Sequence, residues 1–99
     1  MMSTMTLEEM EQAAEKINNL ARALEVVPNA QNVKNLCSEC DYYRRQMQGR
    51  FWNVAPLLDR IMDAARLFLK SGLDLTKARA DLNSAVEGMN IVIDLHRRA

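Results

Sequence analysis

The stretch Leu7–Glu25, LEEMEQAAEKINNLARALE, decides the fold. Its apolar residues Leu7, Met10, Ala14, Ile17, Ala21 and Leu24 recur in alternating steps of three and four, which places them on one stripe of an α-helix. A stripe of this kind has to be covered by another helix. The far end of the chain supplies a second one, Leu75, Ala78, Leu82, Ala85, Met89 and Val92, with the same alternation.

Capping signals set the ends of both helices. Thr6 with Glu9 three residues on fits a capping box, and Glu8 and Glu9 lie in the first turn, where the helix dipole favours negative charge. Pro28 pushes the residue before it out of the helical region, so the first helix is expected over residues 7–25. Asp74 is a good N-cap for a last helix over 75–97, which has Arg97 and Arg98 at the end that favours positive charge. Gly88 costs this helix about 1 kcal/mol relative to alanine and suggests the close approach of another backbone.

The middle of the chain admits two readings. Val33, Leu36, Cys40, Tyr43, Met47, Phe51 and Val54 form one stripe, entered through a turn at Pro28 and Asn29, and Leu57, Leu58, Ile61, Ala65 and Phe68 form the next. The two stripes keep phase to within about 80° at 100° per residue, as one long helix would. Pro56 opposes that continuity, because inside a helix it removes a hydrogen bond; Gly49 weakens the same region, and Asn53 is available to cap a new helix. A break or marked kink between Gly49 and Pro56 gives helices near 7–25, 30–51, 54–71 and 75–97. Gly72 is placed as a left-handed terminator of the third, with Leu73 making the accompanying apolar contact.

The fold class read from these patterns is all-α, a small antiparallel bundle of three to four helices. Its alternative completion is dimerisation through a long kinked central helix. All 99 residues belong to a single helical domain, with residues 1–5 as a flexible N-terminal tail.

Composition narrows the function. Thirteen basic residues balance thirteen acidic ones, so no overall field draws the protein to nucleic acid or to an anionic membrane. The acidic first helix and the basic segment that holds Lys34, Arg44, Arg45 and Arg50 are expected to lie together. No secretory signal is read at the N-terminus, and no apolar run approaches the ~20 residues of a membrane span. Cys37 and Cys40 are too close for disulfide geometry in a regular helix, which fits a reducing, cytoplasmic setting.

Constellations for chemistry are weak. The Cys37-x-x-Cys40 spacing lacks the further ligands of a zinc site, and His96, the only histidine, has no nucleophile beside it. Asp59 and Asp63 face away from the apolar stripe beside Arg66 and Lys70, as a solvated charged face does. No catalytic residue, metal site or cofactor is assigned, and the protein is not read as an enzyme.

The sequence points instead to a non-enzymatic protein–protein interaction module acting by helix-face docking, of the kind found among regulators, inhibitors, adaptors and chaperones. Tyr42, Arg45 and Trp52 fall between about 120° and 200° from the core stripe if the second helix continues, and these are residue types enriched at binding hot spots. They form the candidate surface for another protein. Ile91 and Leu95 lie off the main seam of the last helix, and Met62 widens the apolar arc of the third; these three are assigned to self-association, with a dimer favoured. The alternatives are a structural self-assembling subunit and a small-molecule-binding bundle with a pocket lined by Tyr43, Met47, Phe51 and Phe68.

Overall fold

The capping box forms as the sequence dictates: Glu9 N–H donates to Thr6 Oγ1 at 3.1 Å and Thr6 N–H donates to Glu9 Oε1 at 3.0 Å. It opens α1, Leu7–Val26, in a computed structural model that describes residues 5–47, 49–70 and 72–98. Asn29 caps α2, Ala30–Arg44, by accepting from Asn32 N–H at 2.8 Å. The Asn32 amide in turn donates to Val27 O at 2.8 Å, satisfying a carbonyl just past the end of α1. Two further helices follow, α3 over Ala55–Arg66 and α4 over Leu75–Arg98, and Asp74 caps α4 by accepting from Lys77 N–H at 3.2 Å.

Each helix packs on its neighbour in sequence, and α4 returns to α1, so the four close into an antiparallel up-and-down bundle. Three contacts record the register of α1 on α4. Arg97 pairs with Glu11 at 3.3 Å, the Asn18 and Asn90 amides donate to each other at 3.0 Å in both directions, and Arg79 Nε donates to Glu25 O at 2.9 Å. Between them lies the expected seam. Met10, Ala14, Ile17, Ala21 and Leu24 are buried from α1, and Ala78, Leu82, Ala85 and Met89 from α4. Val92 is half-buried and Ile93 takes its place in the core, because a seam of strict seven-residue period drifts by about 20° per heptad on a straight helix.

The centre of the chain breaks, and earlier than Gly49. At Arg44 the pattern tightens to three-residue turns, with Gln46 N–H donating to Tyr43 O at 3.0 Å and Met47 N–H to Arg44 O at 3.1 Å. Gly49 adopts φ +74°, a left-handed conformation that glycine takes without steric cost, and Gly49–Phe51 forms a single 3₁₀ turn. Asn53 is not the cap of α3. Val54 occupies that position without a side-chain bond, and Pro56 falls in the first turn, where it displaces no helical hydrogen bond. There is thus no continuous helix from α2 to α3. Met47, Phe51 and Val54 are nevertheless buried, as their stripe requires, because the connecting segment crosses the end of the bundle and seals it.

Three further expectations are corrected. α3 gives way at Arg66 to a 3₁₀ turn over Leu67–Leu69, and Gly72, at φ +70°, terminates this segment while Leu73 packs on the core. Met5, expected in the tail, is buried; residues 1–4 lie outside the described residues. The basic groups of the second segment do not engage α1: Arg44 Nε pairs with Asp59 of α3 at 2.7 Å, and the cross-bundle partner of acidic α1 is Arg97 of α4.

Gly88 faces a side chain and not a backbone. A Cβ placed there would meet Leu57 Cδ2 at 3.8 Å, an ordinary van der Waals contact. Gly88→Ala should therefore stabilise the bundle by about 0.5–1 kcal/mol through helix propensity. The check is a urea titration, with a higher midpoint and an unchanged slope expected; a lower midpoint would contradict the open space at this position.

Candidate functional site

Ending α2 at Arg44 separates the residues expected to share its outer face. Tyr42 stands at the edge of a hollow between α1 and α2 that also involves Glu9, Lys16 and Tyr43, and its ring meets that of Tyr43 edge-on at 5.2 Å between centroids. Arg45, just past the helix, is exposed and folds back on Asp41 at 2.9 Å. Trp52 follows the 3₁₀ turn, so no helical face aligns it with the other two.

The surroundings of Trp52 are built from the turn upward. Val54 N–H donates to Phe51 O at 2.9 Å across the turn that follows the 3₁₀ segment, and Phe51 and Val54 both point into the core, each fully buried. Trp52 and Asn53, between them, are left outside. Asn53 Oδ1 accepts a hydrogen bond from His96 Nε2 at 2.8 Å, and the His96 ring packs edge-on against Phe51 with centroids 4.8 Å apart. The Arg50 guanidinium lies 5.3 Å from the centre of the Phe51 ring on a cation–π contact. His96, considered by sequence as a catalytic base, is thus a clamp that ties the turn to the last turns of α4.

That clamp brings two candidate surfaces to one end of the bundle. Trp52 is 70% exposed, and on α4 Ile91 and Leu95 are 55% and 59% exposed. Trp52 adjoins Asn53 in the chain and Leu95 adjoins His96, with Ile91 one helical turn before it, so an exposed apolar residue neighbours each member of the Asn53–His96 bond. Met62 does not join them. At 6% exposure it is part of the core, and the carbonyl of the same residue faces Cys37 Sγ at 3.8 Å. The apolar arc of α3 is wide because α3 is covered by both α2 and α4.

The cysteines are packing residues. Cys40 is fully buried, and burial pushes its thiol from the ordinary value of 9.0 up to about 12. Half-burial moves the Cys37 thiol in the same direction, against the opposing pull of Arg66. Met47, Phe51 and Phe68, considered as a pocket lining, are buried in the shared core. Among the described residues no helix is long and apolar enough to cross a membrane.

The flank of α4 that faces α1 differs in character. The hollow between α1 and α4 is walled mostly by polar residues, Asn18, Arg22, Glu25, Asn83, Glu87 and Asn90, with Ala21 and Val86 completing the lining. Sequence reasoning did not find the Asn18–Asn90 pair or the Asn53–His96 clamp. The first had a signal, an asparagine in the interior of each terminal helix; the second had none, since it depends on where the turn crosses the bundle end.

By fold, the chain is an up-and-down four-helix bundle that leaves Trp52, Ile91 and Leu95 exposed. No protein-family model, curated protein or solved structure matches it.

Two measurements test this geometry. Trp52 is the only tryptophan, so intrinsic fluorescence of the folded protein should already be that of a water-exposed indole and change little on unfolding in urea. Trp52→Ala should shift stability by no more than about 0.5 kcal/mol; a loss of ~3 kcal/mol would place the indole in the core. The Cys40 thiol sets an alkaline dependence. Below pH 9.0 it is protonated folded and unfolded alike, whereas between pH 9.0 and about 12 only the unfolded chain sheds the proton. Stability should fall as pH rises through that window, with a shallower fall in Cys40→Ala.

Proposed function

We propose that this protein is a non-enzymatic protein–protein interaction module that docks through the apolar surface formed by Trp52, Ile91 and Leu95. The observation that carries this reading is the company these residues keep. Asn53 is engaged with His96 and Arg97 with Glu11 and Asp94, while the three large apolar side chains stay more than half exposed. Tryptophan in particular is enriched where partners dock and supplies a large contact area at low conformational cost.

A role as a regulator, inhibitor, adaptor or chaperone suits such a surface, since each acts by occupying a partner. Two free cysteines, one buried and one half-buried, are compatible with a reducing cytoplasmic setting. Tyr42 and Arg45 belong to a separate, more polar surface in this reading. They are secondary contacts at most, because Arg45 is held by Asp41 and Tyr42 rests against Tyr43.

The test compares proteins captured from native cells by the tagged wild-type chain with those captured by Trp52→Ala and Ile91→Asp. Both variants should keep their helical circular dichroism and unfolding midpoint while losing a partner that Tyr42→Ala retains. If all variants capture the same proteins as the wild type, the docking surface lies elsewhere.

A further inference from the structure

The outer face of α4 reads Glu87, Ile91, Leu95 and Arg98, spaced four, four and three apart, so the four side chains fall within an arc of about 80° opposite the core residues Leu82, Met89 and Ile93. All four are exposed. The order is acid, aliphatic, aliphatic, base, and reversal of direction turns it into base, aliphatic, aliphatic, acid. Resting on the docking surface proposed above, we infer that the occupant of this strip is the same strip of a second copy of the chain. The two α4 helices run antiparallel, with Leu95 against the partner's Ile91 and Arg98 against the partner's Glu87.

Geometry and charge choose this arrangement over the other pairing. In an antiparallel pair centred near residue 93, Ile91 and Leu95 stand two residues to either side, and Glu87 and Arg98 stand five or six to either side. The apolar contact and the ion pair are then each made twice across one two-fold axis, as an isologous interface requires. A parallel pairing would set Glu87 against the partner's Glu87 and Arg98 against the partner's Arg98, like charges face to face. Arg98 already touches Asp94 at 2.9 Å within its own helix, yet its side chain remains 75% exposed, leaving donors for a second carboxylate.

The strip is short. Residues 87–98 span roughly 17 Å of helix, less than the ~800 Å² per partner of a standard interface calls for, so even with Trp52 alongside the dimer is weak and concentration-dependent. Exposed ion pairs supply register and specificity here more than strength.

Sedimentation equilibrium from about 10 μM to about 1 mM tests the proposal on the full chain, with circular dichroism confirming that each variant is folded. Wild type should pass from monomer to dimer across this range. Glu87→Arg and Arg98→Glu should each weaken self-association at least ~10-fold, since each sets like charges across both ion-pair positions. An equimolar mixture of the two variants should recover it, because every mixed pair then holds Arg against Glu at both positions. A wild-type chain that stays monomeric throughout overturns the second copy as occupant, and the capture comparison above then decides the docking surface by itself. A wild-type dimer that both single variants match, or that their mixture fails to restore, overturns the antiparallel register.

Discussion

The lock of α1 on α4 holds this structure together. These helices lie at opposite ends of the chain, so their contact closes the ring and commits everything between them. The apolar seam supplies the strength, since each buried Leu, Ile or Met side chain is worth about 1.5–3 kcal/mol. It does not supply uniqueness. Both seams repeat every seven residues, and a slip of one helix by seven would still face apolar residues with apolar residues. Such a slip would separate Asn18 from Asn90 and Glu11 from Arg97, which meet two turns apart in the observed register. A stranded amide in a part-buried site costs about 1–3 kcal/mol, enough to choose one register. The polar pair therefore sets the alignment that the apolar residues stabilise.

That alignment fixes the length available to the middle helices. α1 and α4, of 20 and 24 residues, are longer than α2 and α3, of 15 and 12, so one end of the bundle needs a cover that helices do not provide. Met47, Phe51 and Val54 provide it from an irregular segment. The exposure of Trp52 follows from the same geometry, because the turn that Val54 N–H closes on Phe51 O points both of those residues inward and leaves Trp52 and Asn53 outside. The most exposed aromatic group is thus a consequence of how the bundle end is sealed, and His96 holds it there through Asn53.

Features that depend on local chemistry were legible in the sequence. The Thr6–Glu9 box, the Asn29 turn, the Asp74 cap, Gly72 and both terminal seams as far as Met89 stand where their residues imply. The end of α2 was not legible, for a specific reason. Phe51 and Val54 are three apart, a spacing shared by α and 3₁₀ turns, so apolar periodicity runs on in phase while the backbone changes. Trp52 was consequently placed on a helical face that does not exist. Met62 misled through width: an apolar arc broad enough for an outside partner is equally the arc of a helix with two neighbours inside its own chain. Ion pairs were least legible, because net charge per helix says nothing of which side chains end up opposite.

Folds of this kind carry many functions, so recognition has to be argued from the surfaces the packing leaves uncommitted. On α4 most of the circumference is taken. One side faces the core through Leu82, Met89 and Ile93, and a second meets α1 through Asn90 and Arg97. A third lies along α3, where Gly88 admits the Leu57 side chain. What remains is one outward strip, and it is there that Ile91 and Leu95 stand exposed between Glu87 and Arg98. Ile91 and Leu95 keep more than half of their surface in water, and that part adds nothing to the stability of a single chain. Only another molecule could cover that remainder, and the proposed docking rests on it.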